Sequence, residues 1–241
     1  MIHLLAKSPM IHLIRHGRIP DYQTDQPLSP EGRQETLLAG RKLAEHIQTG
    51  ETINFFSSPT RRTRQTAELL REGLNQALTE RNIEATGGPV VVDDRLRNCQ
   101  FILGGLAYDP IRPLFDVARW RLQETASAEY RACVAFQTEF WGSPDPMAYW
   151  LTHPTQAAEA PEAVAERTRA FLAERLAEGV GANSPQRDIC VAHSANLRSF
   201  LRLVFGCDPG EPEFCGMLTV SAGQVYYRGQ AAGFPLNGKL Q

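Results

Sequence analysis

Three short apolar runs in the chain are each followed, within a few residues, by side chains that can carry chemistry. The runs and the residues that follow them are 10–14 with Arg15 and His16, 53–57 with Arg62, and 188–192 with His193. Such runs are typical of strands buried in a parallel sheet, and open α/β sheets bind ligands at the carboxyl ends of their strands. The sequence therefore predicts that two histidines and several arginines meet at one edge of a sheet.

Amphipathic helices are predicted between these strands. Ser29 as N-cap and Pro30 at the first helical position mark the start of a helix whose apolar face continues to Ile47. Helical spacing of apolar residues also predicts helices over 60–78 and 161–178, and a further one after the third apolar run. The alternation predicts an α/β fold, a three-layer α/β/α sandwich around a mostly parallel sheet.

The stretch from Cys99 to Ala158 departs from this alternation and is rich in aromatic residues. It predicts a largely helical insertion, a cap over the carboxyl ends of the strands, within a single domain of residues 1–241. Most of its aromatic side chains are expected to form the small core of the insertion itself. The arginines of the insertion that could still reach a substrate are Arg112, Arg119, Arg121 and Arg131.

Composition and charge exclude several classes of protein. Apolar residues make up 42% of the chain and the formal net charge is -2, which argues against nonspecific nucleic-acid binding. No apolar run approaches the length that spans a bilayer, and no secretory signal is recognisable, so we expect a cytoplasmic protein that does not bind membranes. The five cysteines form no Cys-x-x-Cys pair, and no histidine cluster has metal-ligand spacing. Neither a disulfide framework nor a zinc site is expected, and oligomeric state is not indicated.

Four segments occur in an order that is characteristic of one family. They are Leu13-Ile14-Arg15-His16-Gly17, Leu28-Ser29-Pro30-Glu31-Gly32, Ser58-Pro59 to Thr66-Ala67, and Val191-Ala192-His193. Together they span most of the chain and resemble the histidine phosphatase superfamily, in its phosphoglycerate mutase-like branch. The resemblance implies phosphoryl transfer, with His16 as the phosphorylated nucleophile and Arg15, Arg62 and His193 as the phosphate pocket.

The chemistry of these side chains agrees with that implication. A neutral imidazole such as His16 can attack phosphorus and form a phosphohistidine. Planar guanidinium groups suit the three equatorial oxygens of the transferred phosphoryl group, and Arg62 is placed in the first turn of its predicted helix, where backbone N–H groups favour an anion. A protonated His193 would donate to the same oxygens. No metal or cofactor is required.

Further substrate contacts are expected from residues that flank these groups. We expect Gly17 and Arg18 to contact the substrate from the first segment and Ser194 to contact it from the amide at a helix start. Arg18 stands where the family usually has glutamate, and a cation there would favour a substrate with a second negative group.

A second departure from the family concerns the proton donor. Members of the mutase-like branch commonly have a glutamate general acid where this chain has Asn98, and an amide cannot donate that proton. Protonation of the leaving group would then fall to Asp94, Glu159 or water, or would be unnecessary for a good leaving group.

Three functions remain open on the sequence. The first is a metal-independent phosphatase that acts on a small phosphomonoester through phospho-His16. The second is a phosphoglycerate-type phosphomutase, which the missing glutamate disfavours. The third is a catalytically impaired protein that binds a phosphorylated ligand or inorganic phosphate.

Overall fold

The computed structural model describes residues 8–103, 105–110, 127–180, 182 and 184–235. The strands are β1 (Met10–Arg15), β2 (Thr52–Ser57), β3 (Thr86–Val92), β4 (Phe101–Leu103), β5 (Leu106–Tyr108), β6 (Gln186–Ala192), β7 (Met217–Ser221), β8 (Gln224–Tyr227) and β9 (Gln230–Gly233). The α-helices are α1 (Pro30–Leu43), α2 (Arg61–Glu80), α3 (Ala128–Gly142), α4 (Pro146–Thr152), α5 (Pro161–Val180) and α6 (Ser194–Phe205). None of these helices is long and apolar enough to cross a bilayer.

Seven strands form the central sheet, in the order β3-β2-β6-β1-β7-β8-β9. The pairs β3-β2, β2-β6 and β6-β1 are parallel, whereas β1-β7, β7-β8 and β8-β9 are antiparallel. The predicted α/β fold is confirmed, and the sheet is mixed, with a parallel part that carries the three predicted strand ends. Because β1, β2 and β6 run in parallel, the residues that follow them lie at the same edge.

Helices cover both faces of this sheet, because consecutive side chains of a strand point to opposite faces. In β1, Ile11 and Leu13 belong to a core cluster with Phe171 of α5 and Phe200 of α6. Ile14 belongs instead to the cluster formed with residues of α1 and α2. The sheet is therefore the middle layer of three.

The packing of α1 against α2 depends on two glycines. A Cβ on Gly40 of α1 would collide with the backbone carbonyl of Leu70, and a Cβ on Gly73 of α2 would collide with that of Leu37. Hydrogen in place of a side chain lets the two helices approach closely. This contact fixes α2, and with it Arg62, against the sheet.

The described part of the predicted cap, residues 99–158, contains a hairpin as well as helices. β4 pairs with β5 in a separate antiparallel sheet, and α3 and α4 follow, with Ser127 and Asp145 as N-caps. A third core cluster joins Phe101, Phe140 and Trp150 to Ala195 of α6. Phe115, Trp120, Arg112, Arg119 and Arg121, which the sequence placed in this cap, lie outside the described residues.

Candidate active site

His16 follows the last residue of β1 and is buried. Its backbone N–H donates to the carbonyl of Ala192 at the end of β6, with 3.0 Å between nitrogen and oxygen. Its Nδ1 lies 2.8 Å from the carbonyl oxygen of Gly17. A carbonyl only accepts, so Nδ1 carries the hydrogen and Nε2 of the neutral ring keeps its lone pair. The ring is therefore held in the tautomer that leaves Nε2 as a nucleophile or base.

The surroundings of His16 keep the ring neutral. Burial lowers its pKa well below the ordinary value, and the positive charges of Arg62 and Arg15 lower it further, against a smaller opposing effect of the Gly17 hydrogen bond. Burial and nearby cations both disfavour the charged form of an imidazole. At neutral pH, His16 is an uncharged imidazole between two arginines.

Arg62 is the second residue of α2, and 1% of it is exposed. Its Nη1 lies 3.3 Å from an Asp25 carboxylate oxygen, and its Nη2 lies 2.9 Å from an Asp109 carboxylate oxygen. Nη2 also donates to Nδ1 of His193 at 3.3 Å. The Nε of Arg62 is buried and has no hydrogen-bond partner among the described residues. A buried donor of this kind is stabilised when a ligand or water accepts from it.

His193 is the N-cap residue of α6 and is also buried. Since its Nδ1 accepts from Arg62, its Nε2 carries the hydrogen and donates to the hydroxyl of Ser58 at 2.8 Å. Burial, followed by the charge of Arg62, lowers the pKa of His193 well below its ordinary value. The sequence analysis gave His193 a donor role in its protonated form, and this environment favours the neutral ring. The ring centroids of His193 and His16 are 5.5 Å apart.

Arg15 occupies the last position of β1 and points its guanidinium at the loop that follows α6. Its Nη2 lies 2.9 Å from Oε1 of Glu211 and 3.3 Å from the Tyr22 hydroxyl, and its Nη1 donates to the carbonyl of Pro212 at 2.5 Å. The guanidinium carbon lies 4.2 Å from the centroid of the Phe214 ring. Arg15 is thus held on several sides before any anion binds.

Arg15, His16 and His193 line a cleft of about 320 Å³, whereas Arg62 is buried beside His193 and is not part of the lining. Its polar lining consists of Arg15, His16, Asn98, His193, Ser194 and the carboxyl groups of Asp145 and Glu211. The rest of the described wall is formed by Tyr22, Pro110, Phe140, Trp141, Pro144, Pro146 and Met147. The volume is at the lower end of the range for small-molecule sites.

Two of the residues that we expected to contact the substrate, Gly17 and Arg18, do not line the cleft. Arg18 has 50% of its side chain exposed and pairs with Glu35 at 3.2 Å. The amide of Gly17 donates to the Thr66 hydroxyl at 2.9 Å, and a side chain at this position would collide with Thr36. The third predicted contact residue, Ser194, does line the cleft.

The structure also locates the residues considered as proton donors. Asn98 lines the cleft, as its position in the sequence implied. Asp94 is exposed and pairs with Arg97 at 3.0 Å. Glu159 pairs with Arg97 at 3.2 Å and with Arg167 at 3.0 Å. Neither carboxylate is part of the cleft lining.

A charged cluster behind the cleft was not predicted from the sequence. Arg198 of α6 is fully buried, and its guanidinium pairs with Asp145 at 2.7 Å, with Glu211 at 2.9 Å and with Asp208. The Ser194 hydroxyl donates to Glu211 at 2.6 Å. These partners come from the turn before α4 and the loop after α6, which carry no motif that could have revealed them. Within the described residues, no group of three or more His, Cys, Asp or Glu side chains could hold a metal ion.

A family model supports the resemblance that the motifs indicate. The model of the histidine phosphatase superfamily (branch 1) matches residues 11–103, which include β1 with His16 and the start of α2 with Arg62. The resemblance to this superfamily is confirmed. None of the curated proteins matches the chain by sequence.

Solved structures share the fold over nearly the whole chain. A phosphoglycerate mutase from Bacillus anthracis is 15% identical, with 95% of this chain and 92% of that chain covered and a TM-score of 0.57. Bacillus stearothermophilus YhfR is 18% identical, with 97% and 98% covered and a TM-score of 0.55. A mycobacterial glucosyl-3-phosphoglycerate phosphatase in complex with inorganic phosphate is 20% identical, with 97% and 100% covered and a TM-score of 0.51. At these identities the likeness establishes the fold alone.

Proposed function

We propose that this protein is a metal-independent phosphomonoester phosphatase that works through a phosphohistidine on His16. The observation that carries the proposal is the state of the His16 ring. It is neutral, its Nδ1–H is bonded to the Gly17 carbonyl, and its Nε2 keeps a lone pair in the field of the Arg62 and Arg15 charges. The mycobacterial glucosyl-3-phosphoglycerate phosphatase of the same fold, solved in complex with inorganic phosphate, supports a small phosphorylated ligand for this site.

In the first step, Nε2 of His16 attacks phosphorus and the bond to the leaving oxygen breaks. Arg15 and Arg62 stabilise the charge on the equatorial oxygens, since each guanidinium offers several donors in a fixed plane. The amide of Ser194, at the start of α6, adds a donor of the same kind. A bound phosphate dianion favours protonation of His193, and the ring donates to the phosphate once it gives up its contact with Arg62 or Ser58.

In the second step, water attacks the phosphohistidine, inorganic phosphate leaves and His16 returns to its neutral form. The Gly17 carbonyl stabilises the positive charge that the ring carries while Nε2 is phosphorylated, because it accepts from Nδ1–H. Segment 99–158 serves as a cap over the site in this proposal, and its residues Phe140 and Trp141 on the cleft wall support that role. The five free cysteines support a reducing compartment such as the cytoplasm.

The test is turnover of 4-nitrophenyl phosphate in the presence of a chelator. This leaving group departs without protonation, so Asn98 does not prevent the reaction. We expect turnover by the parent and by His46→Asn, which changes an exposed histidine, and a loss of about 10⁴-fold or more in His16→Asn. Equal turnover by the two variants would exclude His16 as the nucleophile. Binding of inorganic phosphate by a parent that shows no turnover would indicate a phospho-ligand binding protein instead.

A further inference from the structure

The wall of the cleft beyond the phosphate-binding groups is apolar and includes aromatic rings. Phe140, Trp141, Met147 and the prolines at positions 110, 144 and 146 form it. The rings of Phe140 and Trp141 pack edge to face, with centroids 4.8 Å apart, and the Tyr22 ring lies 6.0 Å from that of Trp141. Rings packed in this way offer a preformed surface for another ring.

The charges on this wall are unfavourable for a second anionic group. The charged side chains beside the apolar residues are the carboxylates of Asp145 and Glu211. Both pair with Arg198, and Glu211 pairs with Arg15 as well. Arg18, which the sequence suggested as a partner for a second negative group, is paired with Glu35 and does not line the cleft. The described wall therefore favours a leaving group that is uncharged and apolar.

The proton donors available in the cleft favour the same kind of substrate. Burial raises the pKa of Asp145, but the hydrogen bonds and charge of Arg198, together with the backbone hydrogen bonds of Ala148 and Met147, lower that pKa overall. Glu211 is ion-paired with Arg15 and Arg198. Asn98 also lines the cleft, but its side chain is an amide and cannot act as an acid. Because its pKa is lowered, Asp145 stays ionised at neutral pH and is a poor acid. A leaving group that is stable as an anion departs without a proton donor in the cleft.

We propose that the cleft takes an aryl phosphate, a phosphomonoester whose leaving oxygen is attached to an aromatic ring. The inference rests on the proposed function and names its substrate class. The phosphate meets Arg15 and His16, and the ring packs against the half-buried Trp141, whose own ring rests on the fully buried Phe140. A phenol has a pKa of about 10, far below the value of about 16 for water, so its anion leaves without an acid catalyst.

The reaction balances without a further reactant. The His16 Nε2–P bond forms, the P–O bond breaks, and its electron pair stays on the aryl oxygen, which takes a proton from solvent. Water then attacks phosphorus, the N–P bond breaks, and the products are a phenol and inorganic phosphate.

Binding is tested with two phosphonates that cannot be hydrolysed. We expect phenylphosphonate to bind at least about tenfold more tightly than methylphosphonate by calorimetry, because only the phenyl ring reaches the aromatic wall. In Trp141→Ala this preference should fall below about threefold, while Tyr226→Ala, an exposed aromatic residue of β8, should keep it. If Trp141→Ala does not fold, Met147→Ala is the substitute. Equal binding of the two phosphonates by the parent would overturn the proposal.

Turnover provides the second test. The value of kcat/KM for phenyl phosphate should exceed that for cyclohexyl phosphate, which is similar in size but has a poor leaving group, by about 100-fold or more. It should also exceed that for 3-phosphoglycerate. Comparable rates for cyclohexyl phosphate or 3-phosphoglycerate would overturn the substrate class while leaving the phosphatase activity intact. A preference for phenylphosphonate without any turnover would instead contradict the phosphatase activity and leave the aromatic ligand class standing.

Discussion

Arg15 and Glu211 form an ion pair with 2.9 Å between nitrogen and oxygen, which joins the end of β1 to the loop after α6. Glu211 is itself held by the buried guanidinium of Arg198 and by the Ser194 hydroxyl. The pair orients Arg15 toward the cleft, but it also places a negative charge beside the site of a phosphate dianion. Glu211 therefore helps to orient the Arg15 guanidinium but weakens the binding of phosphate.

We expect Glu211→Gln to bind inorganic phosphate about threefold to fivefold more tightly, because the amide keeps one acceptor oxygen for Arg15 and Arg198 but removes the repulsive charge. The gain is modest because 40% of the Glu211 side chain is exposed. Calorimetric titration with phosphate measures it, and Glu213→Gln in the same loop is the matched control. Weaker binding by Glu211→Gln would show that the orientation of Arg15 matters more than the charge.

Arg62→Lys should lower kcat/KM for 4-nitrophenyl phosphate by about 100-fold or more, because an ammonium group cannot reproduce the planar set of donors. The exposed Arg64, two residues later in α2, provides the control Arg64→Lys, which should behave as the parent does. Initial rates at saturating and at limiting substrate give kcat and kcat/KM for the parent and both variants. Parental activity in Arg62→Lys would remove Arg62 from the phosphate pocket.

Gly40→Ala should destabilise the protein although alanine is the better helix former. The helix propensity gained is about 1 kcal/mol, whereas forcing α1 away from Leu70 costs about 1–3 kcal/mol. A Cβ on Gly142 of α3 would meet no atom within 4 Å, so Gly142→Ala should be neutral or stabilising. Urea denaturation of both variants measures the free energies of unfolding. A stabilised Gly40→Ala would show that the helices separate at little cost.

Stability should fall as the pH drops below 6.5 because three buried histidines have lowered pKa values. Burial lowers the pKa of His12 to about 3, and it lowers those of His16 and His193 well below the ordinary value. Between pH 6.5 and these values the unfolded chain binds protons that the folded chain does not, so each histidine contributes a loss of about 1.4 kcal/mol per pH unit on acidification.

Urea denaturation between pH 5 and pH 7 tests this dependence. His12→Gln should reduce its slope by about 1.4 kcal/mol per pH unit, whereas His153→Gln, which changes an exposed histidine, should leave it unchanged. An unaltered slope in His12→Gln would mean that His12 is protonated in the folded protein.

The sequence predicted the parts of the site that local pattern determines. His16 and His193 follow apolar runs that are buried as parallel strands, and Arg62 follows a helix start, so strand direction alone brings them to one edge of the sheet. The N-cap role of Ser29 could be predicted for the same reason, since a short polar side chain before proline satisfies an N–H of the first turn.

The rest of the site depends on contacts between residues far apart in the chain. Glu211, the partner of Arg15, lies in a loop whose sequence has no periodic pattern. The burial of Arg198 could not be predicted either, because it depends on the ion pair with Asp145, which is distant in the chain. The hairpin β4-β5 has strands of three residues each, too short for an alternating pattern. Arg18 directly follows the segment Arg15-His16-Gly17, but it pairs with Glu35 of α1 and does not line the cleft.

The central claim is that His16 carries the phosphoryl group during turnover. The most direct measurement is rapid alkaline quenching of the protein with 4-nitrophenyl [³²P]phosphate, followed by proteolysis and mapping of the label. We predict a base-stable, acid-labile label on the peptide that contains His16, formed at least as fast as turnover and missing in His16→Asn. Steady turnover without such a label, or a label on another residue, would contradict the account.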